Sequence, residues 1–81
     1  MPEFELSLHA QDMLTEREIR EEWLWQTLSV PDGTFSADDG TIHYTKAIAE
    51  RDGRVLRVVT NPDVDPQRIV TVFFDRRLRG K

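Results

Sequence analysis

The side chains best suited to chemistry in this 81-residue chain are histidines and arginines. Histidine is the side chain whose unperturbed pKa lies near neutral pH, and His9 and His43 are the only two. Arginine holds a phosphate through two parallel N–H bonds, which Arg17 could supply a short distance after His9. Lys46 and Arg57 could stabilise charge developing on an anion. A basic run at the end, Arg76-Arg77-Leu78-Arg79-Gly80-Lys81, could attract RNA. Each has a plainer alternative: His9 suits a helix start, and Arg17 an ion pair with Glu21 four residues on. Lys46 and Arg57 suit a solvated strand surface, and the basic run a loose tail. His43 alternates with Thr45 toward the side expected to meet helices, which assigns it a structural role.

Metal and cofactor chemistry find few donors. There is no cysteine and no His-x-x-x-His pair. Asp38-Asp39 lies in a turn without the spacing of a calcium loop. No glycine-rich phosphate loop follows a strand, and no Gly-x-Ser-x-Gly elbow is present. No cofactor is therefore expected.

Local signals place these residues on elements. Phe4-Glu5-Leu6-Ser7-Leu8 alternates apolar and polar, as a short first strand or an extended lead-in would. Ser7 can cap a helix from about Leu8 to Glu16. Thr15 and Glu18 have capping-box spacing, so one helix from Thr15 to Ser29 is the competing reading. Either way a helix ends before Pro31, because a proline ring restricts the residue preceding it. Leu24, Thr27 and Leu28 share a face of that helix with Trp23 beside them, while Trp25 points roughly opposite, so one tryptophan is expected to be partly exposed.

Pro31-Asp32-Gly33 and Ser36–Gly40 are turn chemistry and leave Thr34-Phe35 as a short edge strand. Thr41 to Glu50 reads as a strand, and Asp52-Gly53 as a hairpin turn. A two-residue loop there pairs Arg51 with Arg54, Ala49 with Leu56, and Ile48 with Arg57. Thr45, Ala47, Ala49, Leu56 and Val58 then face the helices. Tyr44, Lys46, Ile48, Val55, Arg57 and Val59 form an open face. In the last strand Val70, Val72 and Phe74 point one way, and Ile69, Thr71 and Phe73 the other. An open apolar face of Ile48, Val55, Val59 and Phe73 would invite a second copy or another protein, unless the N-terminal segment folds over it.

A single domain over residues 1–81 is the expectation, burying roughly 60–65% of its unfolded surface. The absence of cysteine fits a reducing cytoplasm. Neither a signal peptide nor a membrane span is expected. The net charge of −4 is segregated: residues 1–50 hold eleven acids and three bases, and residues 51–81 four acids and eight bases. Segregation of this kind permits a local cationic face on an acidic protein, or simply arginines that keep sheet edges from aggregating.

The segment His9-Ala10-Gln11-Asp12-Met13-Leu14-Thr15-Glu16-Arg17-Glu18-Ile19, with Leu24 and Pro31 following, resembles a family of small uncharacterised domains related to RelE- and BrnT-type toxins. That family runs roughly His-Ala-x-x-Arg-Met-x-x-Arg-Gly-Ile, then a helix ending near Asn-Pro. Asp12 replaces its first arginine and Glu18 its glycine. Arg54–Val59 and Ile69–Phe74, followed by Arg76, match its later strands, so the likeness covers about Leu8 to Arg76.

The resemblance implies an α+β domain with two N-terminal helices packed on one face of a three- to four-stranded antiparallel sheet. It implies a toxin-like ribonuclease that cleaves RNA without a metal and acts on RNA or the ribosome; an antitoxin or a homodimer partner would bind through the open sheet face. His9 and Arg17 fall on its histidine and second arginine, Thr71 on a strand threonine able to donate a hydrogen bond, and Arg76 on a basic position. His9, Arg17, Lys46, Arg57 and Thr71 are the catalytic candidates, and Arg76, Arg77 and Arg79 the RNA-binding ones. Asp12 in place of arginine would repel phosphate and implies a diverged or inactive member. The competing function is a non-catalytic interaction module that uses the open sheet face.

Overall fold

The computed structural model describes residues 4–79, with Arg79 described by its backbone alone. β1 (Phe4–Leu6) leads into α1 (Leu8–Glu16) and α2 (Glu21–Ser29). Four further elements follow: β2 (Gly33–Ser36), β3 (Ile42–Ile48), β4 (Arg54–Asn61) and β5 (Gln67–Arg79), with a 3-10 turn at Ala49–Arg51. The fold is α+β, as expected. The sheet differs from the expectation: it has five strands in the order β1-β5-β4-β3-β2, and β1 pairs parallel to β5. The helices therefore follow a strand rather than open the chain. Among the described residues no helix is long and apolar enough to cross a membrane.

The first helix has the expected limits because its ends are encoded locally. The Ala10 N–H donates to the Ser7 hydroxyl at 3.1 Å, which satisfies one of the orphan donors of the first turn. At the other end the Arg17 N–H donates to the Met13 carbonyl and the Ile19 N–H to the Leu14 carbonyl. Glu18 sits between them at φ 54. This left-handed exit ends the helix and rules out one continuous helix from Thr15. It also places a glutamate where a glycine would be free of strain. In α2, Trp23, Leu24, Thr27 and Leu28 are buried, while half-buried Trp25 donates its indole N–H to Glu21 at 3.0 Å.

Both expected side-chain patterns in the sheet need correction. The β3–β4 hairpin pairs Ile48 with Arg54, Lys46 with Leu56 and Tyr44 with Val58, a shift of three from the two-residue-loop register. The turn spans Ala49 to Gly53, with Asp52 at φ 58 and Gly53 at φ 76. An odd shift exchanges the two faces of one strand relative to the other. Ile48 thereby turns inward, where it is 2% exposed, and Ala49 leaves the core. The larger apolar side chain takes the buried side.

In β5 a bulge separates the Val59–Thr71 pair from the Thr60–Ile69 pair. Val70 is thrown outward by the extra residue, and Ile69 joins Val72 and Phe74 in the core. Strict alternation cannot place residues 69 and 72 on one side. Both helices pack on this face, over Leu56, Val58, Ile69 and Val72.

The other face carries no helix. Across it run the rows Thr71–Val59–His43–Phe35 and Phe73–Arg57–Thr45–Gly33. Val55 and Val59 are nonetheless only 7% and 8% exposed, and Ile48 is not on this side at all. The broad open apolar patch expected here does not form. A polar network occupies much of this face.

Candidate functional site

On the open face, Arg57 lies beside Asp75 with its Nη2 atom 3.0 Å from Oδ2. Oδ2 has no well-aligned donor and Arg57 Nε no acceptor, so charge attraction carries this pair more than hydrogen-bond geometry does. Their side chains are 13% and 3% exposed. The second Asp75 oxygen accepts from the Arg77 backbone N–H at 2.9 Å and faces its Nε at 3.4 Å. The Arg77 backbone bond is the main cause holding the Asp75 carboxyl below its usual range; burial acts the other way, and the Arg77 and Arg57 guanidiniums add to the lowering.

Arg57 also donates to Nδ1 of His43 at 3.1 Å. A guanidinium only donates, so Nδ1 accepts and the His43 proton sits on Nε2. That N–H meets the Thr41 hydroxyl at 3.1 Å, which donates to Asp39 at 2.6 Å. Burial first, then the Arg57 charge, pushes His43 below the usual imidazole range, with Asp39 opposing. The Thr41 hydroxyl and then its N–H hold Asp39 below the usual carboxylate range. Phe35 stacks on the His43 ring at 5.1 Å and lies 4.9 Å from the Arg57 guanidinium carbon. Both His43 nitrogens are engaged. The network holds strands together and leaves no free proton acceptor on His43.

A second arginine cluster forms where the end of α1 meets the β3–β4 turn. Arg17, Arg51, Arg54, Phe74 and Arg76 line one cleft of about 370 Å³. Its aromatic wall belongs to a pair: Phe74 meets Trp23 at 6.2 Å and 67°. The Arg51 and Arg54 guanidinium carbons each lie 5.3 Å from the Phe74 centroid, and Arg51 also lies 5.9 Å from Trp23. Cation–π attraction holds these guanidiniums over the rings while leaving their N–H edges available. Among the described residues no carboxylate lines the cleft, and none of its four arginines makes an ion pair.

The cleft depends on the irregular end of β5. Asp75 pairs with Val55 and Arg79 with Arg54, so three residues intervene on β5 where β4 has none. The basic run is a strand through Arg79, not a loose tail. Asp75 and Arg77 join the open-face network while Arg76 enters the cleft.

The family pattern of DUF4258, a domain of unknown function, matches residues 6–74. The chain belongs to the DUF4258 family. No curated protein and no solved structure gives a significant match to it. Within this DUF4258 domain, the residues singled out from sequence fall into four places. Arg17 and Arg76 share the cleft. Arg57 and Thr71 stand on the open face, where Arg57 joins Asp75 and Arg77. Lys46, expected beside Arg57, is instead on the helix side, because the hairpin register turned β3 over. Its Nζ donates to the Val30 carbonyl at 3.1 Å and lies 3.9 Å from Asp32, tying α2 to β3.

His9 is exposed on α1 in a hollow with Asp12, Met13 and Glu16, apart from the cleft. The Arg79 side chain lies outside the described residues. His43, assigned a structural role on the helix-facing side, faces the opposite way. Sequence reasoning missed Arg51, Arg54 and Phe74. The signal available was the arginine on each side of the Asp52-Gly53 turn, within the cationic final segment.

Proposed function

We propose that this DUF4258 domain binds RNA through the arginine cleft. The observation that carries the reading is the convergence of Arg17, Arg51, Arg54 and Arg76 on one aromatic wall, with no carboxylate among the cleft's lining residues. Four permanent cations so placed repel one another and gain from an anion. Guanidiniums match phosphate oxygens in pairs, and the Phe74 ring under Arg51 and Arg54 holds two of them in place without taking up their donors. The chain's overall acidity does not oppose this, because attraction at the cleft is local and the acids concentrate in residues 1–50.

The test is anisotropy of a fluorescent single-stranded oligoribonucleotide across a salt series. Wild-type binding should weaken linearly in log salt with a slope of about −0.7 per phosphate engaged. The Arg51→Gln/Arg54→Gln pair should lower affinity about tenfold or more and flatten the slope. Unchanged binding by the double variant, or none by the wild type at low salt, rejects the reading.

A toxin-like ribonuclease is the second reading. It draws support from Arg17 and Arg76, both marked by the resemblance to RelE- and BrnT-type toxins and 59 positions apart, meeting in one cleft. Cleavage requires a group that removes the 2′-hydroxyl proton. The nearest candidate by sequence, His9, has Asp12 and Glu16 as neighbours and not the arginines. That difference ranks binding above cleavage. Incubation with cellular RNA in chelator, alongside His9→Ala, tests it: new RNA ends lost in the variant would promote the ribonuclease. Under that reading an antitoxin is the partner, and Phe35 on edge strand β2, 43% exposed, is an apolar contact open to one.

A further inference from the structure

We infer that the cleft takes a terminal phosphomonoester of an RNA strand rather than an internal phosphodiester; this deepens, and rests on, the RNA-binding reading. The charge count comes first. An internal diester carries one negative charge, whereas a monoester carries about −1.5 to −2 near neutral pH and offers three strong acceptor oxygens. Four guanidiniums on one cleft, without a carboxylate among its lining residues, suit the more highly charged group.

The arrangement comes second. A surface that tracks a continuous strand spreads its cations along a line. Here α1, the β3–β4 turn, β4 and β5 each bring one arginine to a single hollow walled by Phe74. Arg51 and Arg54 both lie over that ring, so their positive charges converge on one place.

The experiment compares one short oligoribonucleotide in three forms: 5′-phosphate, 3′-phosphate, and hydroxyl at both ends. The whole chain is titrated into each, with the fluorophore placed internally. One phosphorylated form should bind about tenfold more tightly than the doubly hydroxylated form, and which one identifies the end recognised. Arg54→Gln and Arg76→Gln should erase that preference. Arg68→Gln should leave it, since Arg68 pairs with Glu5 outside the cleft. If a glutamine variant loses its circular dichroism signal, Arg54→Lys supplies the folded comparison, keeping charge but losing bidentate geometry.

A pH series adds an independent check. From the end of α1 the cleft is faced by Arg17, from the turn by Arg51, from β4 by Arg54, and from β5 by Arg76 and Phe74, so the described lining holds neither a histidine nor a carboxylate. A monoester takes up its second proton near pH 6, so the phosphate-dependent gain should shrink between pH 7.5 and 5 while binding of the hydroxyl-ended strand holds. Equal affinity for all three RNAs overturns the terminal-phosphate inference and leaves RNA binding standing. No binding by any of them overturns both. Tighter binding of a phosphotyrosine peptide than of any RNA also overturns both and moves the ligand to phosphoprotein.

Discussion

The molecule uses arginine in two opposite ways on two sides of one sheet. On the open face Arg57 is buried, paired with Asp75 and donating to His43, and its charge is spent inside the domain. In the cleft Arg17, Arg51, Arg54 and Arg76 are stacked or exposed, and no described carboxylate balances them. The contrast separates structural charge from available charge. A guanidinium committed to a buried carboxylate contributes to folding and specificity, whereas one resting on an aromatic ring keeps its donors for a ligand.

Removing the partner on the open face should have the largest effect. Asp75→Ala leaves Arg57 buried and unpaired, and urea denaturation should show a loss of about 3 kcal/mol or more. A loss below about 1 kcal/mol would mean that Arg57 swings into solvent, and the contrast with the cleft would collapse. The same network should make stability depend on pH. His43 has its pKa lowered in the folded state, so on acidification the unfolded chain takes up that proton first. Its contribution is intact above the unfolded value of roughly 6.5 and declines as pH falls through that value toward the folded one. Asp75, also lowered, contributes above the ordinary aspartate range and loses its contribution as pH falls further. Denaturation midpoints at pH 8 and pH 5.5 should therefore differ by less in His43→Gln than in the wild type. Equal differences would detach His43 from the network.

Changes at the cleft should be smaller in stability. Glu18→Gly relieves a left-handed glutamate at φ 54 and removes an acid next to Arg17. Thermal unfolding should rise by the equivalent of up to about 1 kcal/mol, with RNA affinity rising as well. Arg54→Gln should move stability by less than about 0.5 kcal/mol, as exposed substitutions do, while weakening RNA binding. A large stability loss at Arg54 would turn the cleft into a second structural network.

Several elements are legible in the sequence because their causes are local. Ser7 as a cap, the stop before Pro31, the edge strand around Phe35 and a turn at Asp52-Gly53 each depend on a few adjacent residues. The faces of β3 and β5 are not legible there. They turn on whether Ile48 or Ala49, and Ile69 or Val70, is buried, and in both places an irregular backbone lets the better-packing residue inward. Of the candidate site, Arg17 and Arg76 are visible as isolated cations, but not as neighbours. Arg51 and Arg54 read as turn decoration because nothing local reports that Phe74 lies beneath them.

Residue order alone determined the span of the first helix, the end of the second before Pro31, the hairpin's existence and the segregation of positive charge into the final third of the chain, while the α+β class came with the family resemblance. Tertiary structure decided the parallel β1–β5 pairing, the register of the hairpin, and which arginines pair with a carboxylate among the described residues and which do not. Helix caps and turns are satisfied by hydrogen bonds between near neighbours, whereas a strand's face and an arginine's partner are settled by competition among distant side chains for one buried space.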